Sequence, residues 1–337
     1  MSPMFPQSFR MPFLLPLFLL AAWVGGFASR AAASEPTEAK SIGSQPLGAQ
    51  PIGESPLKVV TTIPDLADIV KEIGGERVSV SSICKGRENL HAVSAKPSHM
   101  VALARADLFV EVGLSLEVSF VPGLLENCGN DKVKPGGKGF VNVSEGWEAL
   151  NVPTSLSRQA GDVHPQGNPH MNLDPRAGRW IAGKVLAALV ANDPGSKEAY
   201  EARHAAYAKR LDEAEARWKK IGAAFQGVSF VEYHQEFEYF AATYGMKIAG
   251  KIESKPGIPP TPNHLAELIA SMKKDGVPLV LSAPWSSGGE TARVAKEAGA
   301  RIVELPNQCG ALAGTDAWIA MMDALHSRVA EALAPPH

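Results

Sequence analysis

At 337 residues, with 45% hydrophobic and 20% charged positions, the chain can bury one large or two medium cores, and its length favours two domains. Its 33 basic and 35 acidic residues give a formal net charge of -2. Neither sign is in excess, which excludes a binder of nucleic acid or of an anionic membrane surface by bulk charge.

Arg10 precedes the apolar stretch MPFLLPLFLLAAWVGGFA, and Ala31, Ala32 and Ala33 follow it, the pattern of a secretory signal with small residues at its cleavage site. Pro16, Gly25 and Gly26 interrupt a segment already near the lower length limit for a membrane span. Residues 1–33 are therefore expected to be an export signal that delivers the protein to the periplasm. No cysteine lies near the cleavage region to carry a lipid anchor. Residues 34–56 mix Ser, Pro, Gly and Gln without apolar periodicity and are predicted to be a disordered linker. Cys84, Cys128 and Cys309 allow at most one disulfide in an oxidising compartment. A Cys84–Cys128 bond is one reading, and three separately buried thiols is the other.

Residues 57–195 are predicted to form a first α/β lobe. KVVTT reads as a buried strand, PDLADIVKEIGG as a helix stopped by glycine, RVSVSSI as a second strand, SHMVALARA as a helix and DLFVEVG as a third strand. This alternation predicts a parallel sheet with covering helices. Residues 196–225 contain no proline and are rich in Ala, Glu, Lys and Arg. They predict one long helix of roughly 40 Å at about 1.5 Å per residue, a strut longer than a single lobe needs. In residues 226–337 the pattern restarts with GVSFVEY, EFEYFAATYG, PNHLAELIASMKK, VPLVLSA, GETARVAKEAG and ARIVELP, which define a second α/β lobe. The closing DAWIAMMDALHSRVAEAL is an amphipathic helix expected to pack on it.

Among the nine histidines, three stand out by position. His91 follows the strand RVSVSSI, His170 precedes Asp174 and Pro175 at a helix entrance, and His234 ends the strand GVSFVEY. In open α/β sheets, strand ends and helix entrances are where ligand crevices form. Their wide separation in sequence excludes a local zinc finger, so a shared site has to be assembled by tertiary folding. His164 lies in the same loop as His170 and is a candidate for metal recruitment. His99, His204 and His326 fall within helical patterns and are expected to be solvated, as is His264 in the first turn of a helix.

The segments CKGRENLHAVSAKPS, GDVHPQGNPHMNLDP, VEYHQEFEYFAATYG and IESKPGIPPTPNHLAELI resemble the successive signature segments of the periplasmic zinc- and manganese-binding proteins of ABC importers, the cluster A-I group. The resemblance covers nearly all of residues 57–330. It implies two related lobes bridged by a rigid helix, a metal site in the interlobe cleft, and His91, His170 and His234 as the metal ligands. It further implies a carrier of Zn²⁺ or Mn²⁺ to a membrane permease; a nitrogen-dominated donor set favours Zn²⁺ over Mn²⁺, and a monomer is expected. The chain departs from the group in two places. Between the first two segments it lacks the long His-rich acidic loop common among relatives. Where relatives commonly place a ligating Asp, the late strand here reads ARIVELPNQCG, with Pro306 at that point. Water, Glu253, Cys309 or the neighbouring Gln308 remain as sources of a fourth donor.

Two other functions fit parts of the pattern. Three histidines and an open position also describe catalytic zinc, but no HExxH helix is present and no residue is placed by motif as a general base, although Glu88 lies close to His91. A binding protein for an organic solute would normally have several interlobe crossovers and a hinge, whereas one long helix permits little closure.

Overall fold

The computed structural model describes residues 55–154 and 164–335. The expected signal and nearly all of the expected linker lie outside the described residues. The first lobe is built on strands β1 (Leu57–Thr61), β2 (Val78–Ser82), β3 (Leu108–Glu111) and β4 (Phe140–Asn142), all parallel, in the order β2-β1-β3-β4. The second holds β5 (Ser229–Glu232), β6 (Lys247–Lys251), β7 (Leu279–Ser282) and β8 (Arg301–Glu304), again parallel, in the order β6-β5-β7-β8. The two sheets thus repeat one topology. The central strands read as apolar runs because helices cover both faces; Leu279 to Ser282 of β7 are all buried. In the edge strands β2 and β6 no residue is fully buried.

The helices of the first lobe are α1 (Pro64–Gly74), α2 (Pro97–Ala104), α3 (Val121–Asn127) and α4 (Ala177–Asn192). Pro64 opens α1 at a position where its missing N–H costs nothing. Leu66, Ile69, Val70 and Ile73 then place one apolar stripe on the sheet. The expected long helix is α5 (Lys197–Gly222), 26 residues, continued by a short 3-10 turn, Ala223–Phe225. Only Tyr200, Tyr207, Leu211, Ala214 and Trp218 form its buried stripe, apart from the terminal Gly222. The second lobe carries α6 (Glu238–Tyr244), α7 (Pro262–Asp275), α8 (Glu290–Ala298) and α9 (Trp318–Leu333). Thr261 caps α7 by accepting the His264 N–H at 3.2 Å, and Gly276 ends it in the left-handed region at φ 64°.

Helix α5 joins the lobes by packing on α1 and α4 on one side and on α9 on the other. Arg210 pairs with Glu72 of α1, and the Trp218 indole donates to Asp323 of α9 at 2.6 Å. Helix α9 also touches α1 directly: the Asp68 carboxylate accepts the Trp318 N–H at 2.8 Å, capping the α9 N-terminus from the other lobe. One apolar core therefore runs from Val59, Phe109 and Ile181 through Trp218 and Trp318 to Phe230 and Leu281. A smaller core of Val231, Ile252, Leu265, Ile269 and Val294 fills the other face of the second sheet. Opening the lobes by a hinge would require shearing the larger core.

Several sequence expectations are corrected here. His326 is not solvated: it is fully buried, stacked on Trp218 with ring centroids 5.3 Å apart, and its nitrogens face the Met322 carbonyl and the Tyr244 hydroxyl at 2.6 Å each. Burial lowers its pKa to about 4. Of the two cysteine readings, that of separately buried thiols is the one found: Cys84, Cys128 and Cys309 are all free and buried. His264 is half-buried, with Nε2 donating to the Lys251 carbonyl at 2.8 Å.

Candidate metal centre

The imidazoles reach the cleft on irregular backbone next to regular elements, two from the first lobe and one from the second. The loop after β2 carries His91. It runs close against the second lobe at Gly86, where a Cβ would overlap the Gly310 carbonyl. The His91 N–H donates to Asn89 Oδ1 at 3.0 Å, and the Ser119 hydroxyl donates to the His91 carbonyl at 2.9 Å. His170 sits just before a 3-10 turn, Met171–Leu173, that leads into α4. Asp174 then accepts the Arg176 N–H at 2.8 Å, but α4 starts only at Ala177 with Arg176 as its N-cap and no side-chain cap, so Asp174 and Pro175 lie in the turn before the helix instead of opening it. His234 lies in the turn between β5 and α6.

One ring nitrogen from each of His91, His170 and His234 lies within 4.8 Å of the others. The Nε2 atoms of His91 and His170 are 3.1 Å apart. Two nitrogens on one tetrahedral metal at about 2.0–2.1 Å would be separated by roughly 3.3 Å. His170 is 1% exposed and His234 4%. Burial, then mutual repulsion among the rings, holds His91 and His170 well below the usual imidazole range, so both are neutral and able to ligate.

Two neighbours orient the rings. Asn168 Oδ1 accepts both the backbone N–H of His170 at 2.8 Å and its Nδ1–H at 2.9 Å. Glu253 Oε2 faces His234 Nδ1 at 2.6 Å. With Nδ1 protonated in each case, Nε2 keeps its lone pair for the cleft. Among the described residues, His234 Nε2 is buried without a hydrogen-bond partner, a costly state that a bound cation relieves.

The remaining sequence candidates fall outside this triad. His164 is buried with its ring centroid 5.0 Å from that of His91, but its nitrogens do not join the converging set. Glu253 stands behind His234, with its other oxygen accepting the Gly257 N–H at 2.9 Å. The backbone N–H of Cys309 donates to Asp65 at 2.9 Å, and burial keeps the Cys309 thiol protonated, a poor metal donor. The side-chain amide of Gln308 donates to the Glu88 carbonyl at 2.8 Å. Glu88 itself accepts the Lys85 N–H, tying off its own loop instead of bracing His91.

Sequence reasoning passes over Asn168, although Asn two residues before a turn is a recognisable Asx signal. It also passes over Glu236 and Glu238. Glu236 is 2% exposed and accepts the Trp285 indole N–H at 3.1 Å and the Asn307 amide at 3.0 Å on Oε1. Glu238 binds Asn151, Asn168 and Lys251, fastening the first lobe to the entrance of α6.

Two parallel-sheet lobes braced by a single long helix, with imidazoles meeting between them, define the cluster A-I class of solute-binding proteins. The chain belongs to the ZnuA family, zinc-uptake complex component A periplasmic, whose model matches residues 59–332. It is a substrate-binding protein of the metal ABC importers, not an enzyme. It is 28% identical over 268 residues to the manganese ABC transporter substrate-binding lipoprotein PsaA of Streptococcus pneumoniae, covering 77% of this chain and 79% of that one. It is 24% identical over 253 residues to the zinc-binding lipoprotein AdcA of Streptococcus pneumoniae (strain ATCC BAA-255 / R6), covering 73% of this chain and 48% of that longer protein. A crystal structure of ZnuA superposes with a TM-score of 0.69 at 22% identity, over 83% of this chain and all of the other. A manganese-bound point mutant of a periplasmic metal-binding protein from Candidatus Liberibacter asiaticus gives 0.69 at 18% identity, over 82% of this chain and 99% of the other.

Proposed function

We propose that this protein captures Zn²⁺ in the periplasm through His91, His170 and His234 and, as a monomer, delivers it to the membrane permease of an ABC importer. The observation that carries the reading is the convergence of three imidazole nitrogens in the cleft, with Asn168 and Glu253 holding two of the rings in the ligating tautomer. A donor set dominated by nitrogen suits Zn²⁺ better than Mn²⁺, which prefers oxygen. The continuous core beneath the lobes supports capture by small movements of the loops around His91 and His234 instead of hinge closure.

Calorimetric titration of the metal-free protein with Zn²⁺ tests this directly. One ion should bind per chain, and His91→Ala, His170→Ala and His234→Ala should each weaken binding by orders of magnitude while leaving the fold intact. Wild-type titration by any one of the three would remove that residue from the set. Retention of Mn²⁺ over Zn²⁺ when both are offered would overturn the choice of metal.

A further inference from the structure

We propose that Glu117 is a positioning residue for the first lobe's two histidines: it holds a left-handed turn at the exit of β3, and that turn fixes the spacing of His91 and His170. The proposal rests on the metal-binding reading of the three histidines. After β3 the backbone has positive φ at three successive residues, Gly113 at 86°, Leu114 at 51° and Ser115 at 65°. Residues other than glycine enter this region at a cost, because Cβ crowds the following carbonyl, and they do so singly. Among the described residues, Asn151 is the one further non-glycine case. Strain of this kind persists only where surrounding contacts over-determine the backbone, and it gathers at functional sites.

The Glu117 carboxylate supplies those contacts. It is 3% exposed and accepts three donors: the Thr62 hydroxyl at 2.7 Å and the Val112 N–H at 2.8 Å on Oε1, and the Gly113 N–H at 3.1 Å on Oε2. Thr62 belongs to the connection between β1 and α1. One side chain, reaching back from beyond the turn, thus ties the start of the turn to the centre of the sheet. The Leu116 N–H closes the turn on the Gly113 carbonyl at 3.0 Å.

Two serines carry the position of the turn to the histidine loops. Within the turn, the Ser115 hydroxyl donates at 2.7 Å to Oε1 of Gln166, which lies between His164 and His170. Just past Glu117, the Ser119 hydroxyl donates to the His91 carbonyl at 2.9 Å. The short stretch from Ser115 to Ser119 therefore grips both loops that bring imidazoles from the first lobe, those whose Nε2 atoms stand 3.1 Å apart. If Leu114 and Ser115 relaxed to negative φ, the Ser115 hydroxyl would leave Gln166 and Ser119 would move against His91. Glycine at Leu114 would adopt the observed φ without that cost. With leucine there, the turn depends on Glu117.

The decisive variant is Glu117→Gln, whose amide keeps one acceptor oxygen and loses the other, releasing either Gly113 or the Thr62 and Val112 pair. Zn²⁺ affinity should fall by about 10- to 100-fold. In nitrogen NMR spectra of the zinc-loaded protein, the His91 and His170 ring signals should shift, while those of His234, held by Glu253, stay in place. Leu114→Gly, which relieves the strain that Glu117 opposes, should recover much of the lost affinity when combined with Glu117→Gln. No recovery by Leu114→Gly would overturn the role of Glu117 and leave the three-histidine reading standing. So would wild-type affinity in Glu117→Gln alongside loss of zinc by His170→Ala. Wild-type binding by His170→Ala would overturn that reading and the proposal with it. If Glu117→Gln does not fold, the double variant Ser115→Ala with Ser119→Ala decides, because both contacts are exposed. Its zinc affinity should fall while its metal-free melting temperature holds, and wild-type affinity would overturn the proposal.

Discussion

Asn168 gathers two donors of His170 onto one oxygen, the backbone N–H at 2.8 Å and the ring Nδ1–H at 2.9 Å, while its amide reaches across the cleft to the Gln235 carbonyl and Glu238. It therefore sets the tautomer and direction of His170 and ties that residue to the second lobe. Loss of such an outer partner typically costs about 10- to 100-fold in metal affinity. Asn168→Ala should lower Zn²⁺ affinity by that factor in a competitive chelator titration, while Asn168→Asp, which keeps the acceptor, should retain more of it. Equal affinities for wild type and Asn168→Ala would mean that the turn alone orients His170.

Helix α4 meets α9 at Gly178, where any Cβ would overlap the six-membered ring of Trp318. That indole cannot easily yield, because its N–H donates to the Asn172 carbonyl at 3.0 Å and its backbone N–H is held by Asp68. Gly178→Ala should therefore destabilise the metal-free protein by about 1–3 kcal/mol through overpacking, read from urea unfolding. An unchanged midpoint would show that the interlobe core is looser than the packing around Trp318 requires.

His326 gives a pH dependence that is separate from the metal. Its folded-state pKa of about 4 lies below the ordinary imidazole value of 6.5, so protonation favours the unfolded chain. Its neutral burial carries no penalty above about pH 6.5, and stability is lost as the pH falls from there towards 4. Asp323 is the charged group facing it; Trp218, Phe225, Phe240 and Tyr244 pack around it, and the Tyr244 hydroxyl and Met322 carbonyl fill its hydrogen bonds. Between about pH 7.5 and 4.5, with chelator present, wild type should lose about 2–3 kcal/mol more stability than His326→Gln, which cannot titrate. Parallel losses in the two proteins would place the His326 pKa near its unfolded value.

The sequence reveals most where burial is two-sided. KVVTT, DLFVEV, SFVE and LVLS read as strands because the central positions of a parallel sheet must be apolar on both faces. β4 and β6 escape such a reading for the converse reason: FVN is only three residues long, and KIAGK is an edge strand with a lysine at each end and a glycine within. α3 opens on Val-Pro-Gly, which carries a turn signal as strongly as a helical one. His326 reads as solvated although it sits four residues after Met322 and three before Val329, on the same buried stripe. The three clustered histidines are legible from their places at strand ends and helix entrances together with the signature segments. Glu236 is not, because its setting depends on Trp285 and Asn307, 49 and 71 residues away, and no local pattern encodes contacts at that range.

Metal removal should expose how far the site depends on the fold. His91, His170 and His234 come from the loop after β2, the turn before α4 and the exit of β5, so only the folded chain can bring their nitrogens within reach of one ion. An ion that binds the native state alone stabilises it by RT ln(1 + [L]/Kd), about 2.7 kcal/mol when free metal is 100 times Kd. For a chain of this size each kcal/mol moves the melting temperature by roughly 2–4 °C. Zinc buffered at that level should thus raise Tm by roughly 5–10 °C, and excess chelator should return it to the metal-free value. His234→Ala, which removes the buried and otherwise partnerless Nε2, should lose most of the shift while its metal-free Tm stays close to, or rises above, that of the wild type, since the variant no longer buries an unsatisfied nitrogen. A zinc-induced shift of full size in His234→Ala would locate the bound ion elsewhere on the protein.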